Sequence, residues 1–198
     1  AIIASDMDYH IPLIGNEKYV GLIPNPINVD TKKYVPLKID SKIKIFHGIN
    51  MGAYTHKGNT FFEKALEIIN NKYPEFVEIK TTRSIPYKDY IEAYNNCHIL
   101  LDQDYGYDQG YNALEAMAKG KVVFTGAEQE FLDYYNLEKN QVCINALPNV
   151  ESIVEELESL ILNPKKIEEI SKNARKFIEK EHHYIKIAQK YLEVWNSN

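Results

Sequence analysis

Two short stretches of this 198-residue chain combine glycine with charge in a way suited to holding an anion. The first is Lys57-Gly58, which closes the loop GAYTHKG and leads directly into an apolar-periodic segment. A lysine placed there is a cation on a flexible tether, able to reach a phosphate held at a neighbouring helix N-terminus, or else a solvated surface charge. The second is Gly110 to Gly120, GYNALEAMAKG. Gly110 lets the backbone N–H groups at the start of a helix, those of Tyr111 and Asn112 among them, approach an anion with no side chain in the way. Asn112, Glu115 and Lys119 then share one helical face by the i, i+3, i+7 rule. Glu115 falls one turn below the anion position, where a carboxylate can accept two hydrogen bonds from a vicinal diol such as a ribose offers. It is also the kind of acid that an early helix turn favours by ~0.3–1 kcal/mol with no ligand at all.

Other glycine and acid patterns narrow the chemistry. GINMG (Gly48 to Gly52) lacks the G-x-G-x-x-G spacing of a dinucleotide site, and GAYTHKGNT lacks the G-K-[ST] ending of a P-loop. Asp102-Gln103-Asp104 after an apolar strand has the D-x-D form that can hold a divalent cation and through it a diphosphate. No third ligand stands nearby, and a bound metal is not expected. Tyr105, Tyr107 and Tyr111 offer rings that could stack a sugar or base, line a cleft, or simply pack.

The elements that must position these residues follow from periodicity. Ile43 to His47, Phe76 to Lys80, Cys97 to Leu101, Val122 to Thr125 and Val142 to Asn145 read as strands. Between them Asn59 to Asn71, Tyr87 to Asn95, the Gly110 to Gly120 segment and Glu128 to Tyr135 read as helices. Strands alternating with helices predict an α/β fold: a Rossmann-like, doubly wound parallel sheet, here with C-terminal helices. Those helices are announced by apolar faces from Val150 to Ile161, from Ile167 to Ile178 after the Asn163-Pro164 start, and from Ile185 to Trp195. A short strand at Ala1 to Ser5, another at Val20 to Ile23, and the proline-interrupted connector Asn25 to Ser41 come first. We therefore divide the chain into a leading segment and connector (1–41), a main domain (42–180) and a C-terminal helix (181–198).

Composition excludes some partners. With 28 acidic against 23 basic side chains the formal net charge is −5, and no Lys/Arg stripe is present, so nucleic acid is not an expected partner. Cys97 and Cys143 lie in apolar settings and are expected to be buried thiols in a cytosolic protein rather than a disulfide. The opening AIIASDMDYH has neither an initiator Met nor a charged leader, which reads as a piece of a longer protein.

With these residues placed, the chain resembles the C-terminal, nucleotide-sugar-binding half of a GT-B retaining glycosyltransferase of the family 4 (group 1) class. Leu114-Glu115-Ala116-Met117-Ala118-Lys119-Gly120-Lys121-Val122-Val123 is similar to that family's "EAMAxGxPVV" segment, with Val122 at its proline. Val20 to Asp30 with Tyr34 is similar to its "PNGVD…F" segment, Ile45 to Gly58 to its first strand and "K-G" loop, and Glu181 to Tyr184 to its aromatic tail. The resemblance implies a hexosyltransferase of polysaccharide biosynthesis that needs no cofactor and takes a nucleoside diphosphate sugar as donor. It implies that Glu115 binds the donor ribose, Lys57 and Gly58 the diphosphate, and Gly110, Tyr111 and Asn112 the distal phosphate or sugar. Tyr107 stands where the family has a glutamate eight residues before Glu115, with Asp108 or Asp104 as candidate substitutes. The family's arginine before the lysine is missing, Ile49 or Asn50 standing there, and Arg83 is the nearest replacement. Implied partners are an acceptor glycan or lipid-linked sugar and an N-terminal acceptor domain of the same protein, at a cytoplasmic location that includes the inner membrane face. The departures leave a second reading, a non-catalytic nucleotide-sugar-binding or interaction domain on the same scaffold.

Overall fold

The computed structural model of the protein describes residues 1–197. The main sheet has five parallel strands in the order β4-β3-β5-β6-β7. These are β3 (Ile43–Ile49), β4 (Val77–Arg83), β5 (Ile99–Leu101), β6 (Val122–Thr125) and β7 (Ile144–Asn145). Their period-2 alternation sorts side chains to two cores. Ile43, Ile45, Ile99, Leu101, Val122 and Phe124 pack against α2 (Asn59–Lys72) and α6 (Val150–Leu162). Phe46, Leu100 and Val123 face the opposite way, toward α3 (Tyr87–Asn96), α4 (Tyr111–Ala118), α5 (Gln129–Tyr135) and much of α7 (Pro164–Glu181). Helices on both faces explain why ILL and VVFT are buried throughout, since a doubly covered parallel strand has no solvent side to spend on polar residues. Cys97 and Cys143 are buried and unpaired, as expected.

The expected strands all form, with changes of extent in four of the main sheet: β3 lengthens to Ile49, β5 begins at Ile99 rather than Cys97, and β4 and β7 shift as follows. β4 continues three residues past Lys80 to Arg83, because β3 runs on to Ile49 and offers hydrogen-bonding partners along its whole length, from Ile43↔Val77 to Ile49↔Arg83. β7 shrinks to Ile144–Asn145 at the sheet edge. The leading segment forms a small parallel pair, β1 (Ile2–Ala4) with β2 (Tyr19–Leu22), joined by α1 (Met7–Leu13). Ala4, Met7 and Leu22 enter the same core as α4 and α7, so this unit is packed onto the main sheet's layer.

The strand order fixes where a ligand can sit. From β3 the chain moves outward to β4, then returns to the other side of β3 and continues β5-β6-β7. The direction of winding reverses between β3 and β5, and the loops leaving those two strands part from one another. A crevice opens there at the carboxyl ends of the strands, as in other doubly wound sheets.

Candidate functional site

The loop after β3 carries Lys57 into this crevice. Asn50 accepts a hydrogen bond from Gly52 N (3.0 Å) to start a short 3-10 turn, Met51–Ala53, and buried Asn59 donates from Nδ2 to Tyr54 O (2.6 Å), folding the loop back. Gly58 then begins α2 at φ 62, in the left-handed region. A Cβ at this position would lie 1.6 Å from Asp104 Oδ1, so the tight approach demands glycine. The Lys57 ammonium reaches across to Asp102, which directly follows β5, with Nζ 2.7 Å from Oδ1. The same oxygen accepts Asn112 Nδ2 (2.8 Å), while Asn112 Oδ1 accepts the Tyr90 hydroxyl (2.9 Å). Tyr94 donates to the Asn112 carbonyl (3.0 Å). A continuous polar chain thus joins α3, α4, the end of β5 and the β3 loop.

This chain walls a cavity of about 430 Å³ lined by Gly48, Ile49, Asn50, Lys57, Thr82, Ser84, Ile85, Tyr90 and Asn112. Its floor is dry. Burial holds His47 below the ordinary imidazole range, and burial together with the Asp102 charge pushes Tyr90 up to about 12. Burial also raises Asp104 to about 6. Asp102 Oδ2, both Asp104 carboxylate oxygens and His47 Nε2 are buried with no hydrogen-bond partner in the protein. Gly110 caps α4 in an extended conformation and, being glycine, supplies no side-chain cap to the first-turn N–H groups.

The structure brings some expected residues together and separates others. Lys57 and Asn112 meet on the cavity wall, with Gly58 and Gly110 setting the backbone beside them. Glu115 sits one turn down α4, partly exposed, its carboxylate held by Lys32 of the connector at 2.7 Å. Asp108 faces away from the cavity. Its Oδ2 accepts Met7 N (3.0 Å) at the start of α1, and its carboxylate lies within 4.8 Å of those of Asp6 and Asp8. Tyr105, Tyr107 and Tyr111 are exposed rather than packed. Arg83 pairs with Ile49 in the strand register, but it does not line the cavity and its side chain is ion-paired to Glu63 of α2. The D-x-D pair is split, Asp102 taken by Lys57 and Asn112 and Asp104 pressed on Gly58, so the two acids do not form one cation site. Sequence reasoning missed Asp102 as the partner of Lys57, and Tyr90 and Lys32 as site neighbours. A signal for Asp102 was present: the first polar residue after a wholly apolar strand faces the carboxyl-end crevice.

A family model described as "Glycosyl transferase-like" matches residues 53–193. No curated protein matches the sequence. Among solved structures, Anabaena HepE in complex with UDP and glucose superimposes with a TM-score of 0.71 at 14% identity, over 99% of this chain and 63% of that one. A mutant of S. aureus TarM in complex with Fondaparinux, alpha-GlcNAc-glycerol and UDP gives a TM-score of 0.74 at 13% identity, over 99% of this chain and 44% of that one. The C-terminal domain of a glycosyl transferase group 1 family protein (LpcC) from Francisella tularensis gives 0.57 at 18% identity, over 79% of this chain and 98% of that one. The chain therefore spans less than two thirds of HepE and of TarM, and its α/β layers match one Rossmann-like half of the GT-B arrangement. Sheet order, crevice and family match lead to one conclusion: the chain belongs to the glycosyl transferase-like family and has the fold of its C-terminal-type domain.

Proposed function

We propose that the cavity at the β3/β5 crevice binds a nucleoside diphosphate sugar and that the whole protein transfers the sugar to an acceptor with retention, as a family 4 hexosyltransferase. The observation carrying this reading is the meeting of Lys57 and the uncapped N-terminus of α4 at one cavity, two independent sources of positive potential for one diphosphate. HepE and TarM, whose structures hold UDP, lend the reading support from the same fold. As the sugar–phosphate bond breaks, negative charge grows on the leaving diphosphate. A fixed ammonium and fixed N–H dipoles stabilise that charge with little reorganisation. The protein supplies the neutralising charge, so neither metal nor cofactor is invoked. Glu115 would take the ribose hydroxyls, exchanging its contact with Lys32 for the diol. Residues 1–41 would lead in from an acceptor-binding domain, and the acceptor would be a glycan or lipid-linked sugar used in polysaccharide assembly on the cytoplasmic side.

Calorimetry with UDP, GDP and ADP tests the site. Lys57→Ala should weaken the best nucleotide by about tenfold or more, the ~1.5–3 kcal/mol of a hydrogen bond to a charged group. Glu115→Ala should weaken it by a smaller factor. Unchanged affinity in both variants would refute the reading. A second reading, nucleotide-sugar binding without turnover, is favoured by Tyr107, an exposed tyrosine at the motif's acid position, and by Asp108, whose carboxylate is engaged at α1. It predicts binding but no sugar transfer in the full-length protein.

A further inference from the structure

Lys57 does not face the cavity as a free charge. Its ammonium lies 2.7 Å from Asp102 Oδ1, and the two side chains differ in freedom, 31% exposed for Lys57 and 2% for Asp102. The carboxylate is fixed by a second donor, Asn112 Nδ2 at 2.8 Å, and Asn112 is itself fixed by Tyr90. Asp102 is thus held in place whether or not Lys57 lies on it, while the lysine is a flexible stem over a rigid anion. The nearby cations have partners of their own, Arg83 on Glu63 and Lys32 on Glu115.

We propose that Asp102 is a built-in competitor for the anion at Lys57, an affinity-setting residue that masks the ammonium in the empty site and must be displaced by an incoming diphosphate. The proposal rests on the reading of Lys57 as the diphosphate's counter-charge. Its physical content is that the lysine's charge is partly spent before ligand arrives, so binding releases one ion pair to make another. When the lysine turns to a phosphate, Asp102 keeps the Asn112 amide and is not left without a donor. Such an arrangement weakens the hold on nucleoside diphosphate and favours its departure after transfer, with no change in the shape of the cavity.

The test is calorimetry with inorganic pyrophosphate and with UDP on wild type, Asp102→Asn, Lys57→Ala and the double variant. Asparagine keeps the shape and an acceptor for Asn112 while removing the charge. Asp102→Asn should bind both probes roughly two- to fivefold tighter, the scale of a part-exposed ion pair. That gain should vanish in the Lys57→Ala background. An equal gain in both backgrounds would mean simple repulsion rather than competition and overturns the proposal, as does any loss of affinity in Asp102→Asn. If Asp102→Asn does not fold, judged by its melting transition, Asp102→Ser replaces it. If wild type binds neither probe, or Lys57→Ala binds them as wild type does, the underlying reading of Lys57 has failed. Masking is then measured without ligand, by acetylation of Lys57 with acetic anhydride followed by mass spectrometry. Several-fold faster labelling in the uncharged variant supports masking and equal rates overturn it.

Discussion

Gly58, next to Lys57, is the tightest backbone position beside the cavity. Its left-handed φ of 62 would cost an L residue about 1 kcal/mol, and its Cα is pressed against the Asp104 carboxylate, so a methyl group there meets an overlap as well as strain. Gly58→Ala should therefore lose more than the backbone cost alone, on the order of 2–4 kcal/mol in urea unfolding. Adding Asp104→Gly should restore the steric part and leave roughly 1 kcal/mol of backbone cost. Equal losses with and without Asp104 would remove the steric explanation. Asp108 makes a different residue-scale statement. Burial, with Asp6 and Asp8 adding to it, outweighs the Met7 N–H and raises its carboxyl to about 7. A folded-state value above the ordinary 3.8 means that stability is fully present below that pH and is lost as pH rises through 7. Asp108→Asn should remove this contribution and, at pH 8, raise stability by on the order of 4 kcal/mol.

At the scale of elements, the polar chain depends on α3 being held at the right height. Tyr90 and Tyr94 project from α3 to fix Asn112, and the C-terminus of α3 is closed by a lysine from another element. Lys121, nearly buried just before β6, donates to Asn95 O (2.6 Å) and Cys97 O (2.8 Å), satisfying carbonyls that a helix end leaves open. Burial lowers its pKa, so the site tolerates the charge only because both carbonyls point at it. Lys121→Met keeps the stem and removes the donors. It should cost ~1–3 kcal/mol by chemical denaturation, and the change should appear in the environment of Tyr90 and Tyr94 in aromatic NMR. An unchanged midpoint would show that water caps α3 equally well. The first turn of α4 gives the complementary case, since its cap residue Gly110 offers no side-chain hydrogen bond.

At the scale of the whole molecule, the connector between β2 and β3 is clamped to the C-terminal helices. Arg175 of α7 donates to Lys32 O (2.7 Å), Ala118 O (2.9 Å) and Val29 O (3.4 Å), tying the connector to the end of α4. Tyr34 covers Gly120, where a Cβ would come 2.5 Å from its ring, and Ser171 Oγ donates to the Gly120 carbonyl. These ties are what set Lys32 on Glu115. Further along, Ile27 N donates to His182 O (2.7 Å) and Tyr184 N to Ile27 O (3.2 Å), while buried His182 places Nδ1 2.8 Å from Asn25 O. Burial lowers His182 to about 4, so it is neutral in the folded protein. With the folded value below the ordinary 6.5, its contribution is intact above pH 6.5 and is lost as pH falls through 4. The loss is ~3 kcal/mol over that window, opposed by the gain from Asp108, so His182→Gln should hold on to ~3 kcal/mol more stability than wild type on going from pH 6.5 to 4. An unaltered slope would assign acid sensitivity elsewhere.

The sheet and its helices were legible in the sequence because each depends on local periodicity. Ile99-Leu100-Leu101 and Val122-Val123-Phe124 can be little but doubly covered strands, and the small residues Ala113, Ala116 and Ala118 mark the face of α4 that meets the core. The placement of Lys57-Gly58 before α2 and of Gly110 before α4 was likewise readable, since it rests on residue type and position within a βα unit. What the sequence by itself could not determine is which charges meet. Lys57 and Asp102 are 45 residues apart, Asp108 and Met7 101 apart, and Lys32 approaches Glu115 only because Arg175 holds the connector down. Pairings at such separations are fixed by strand order and by the docking of whole elements, not by propensity or spacing. The Gly110 to Gly120 helix is therefore a sequence-determined part, whereas its use beside Lys57, over a buried aspartate, is a decision of the tertiary structure.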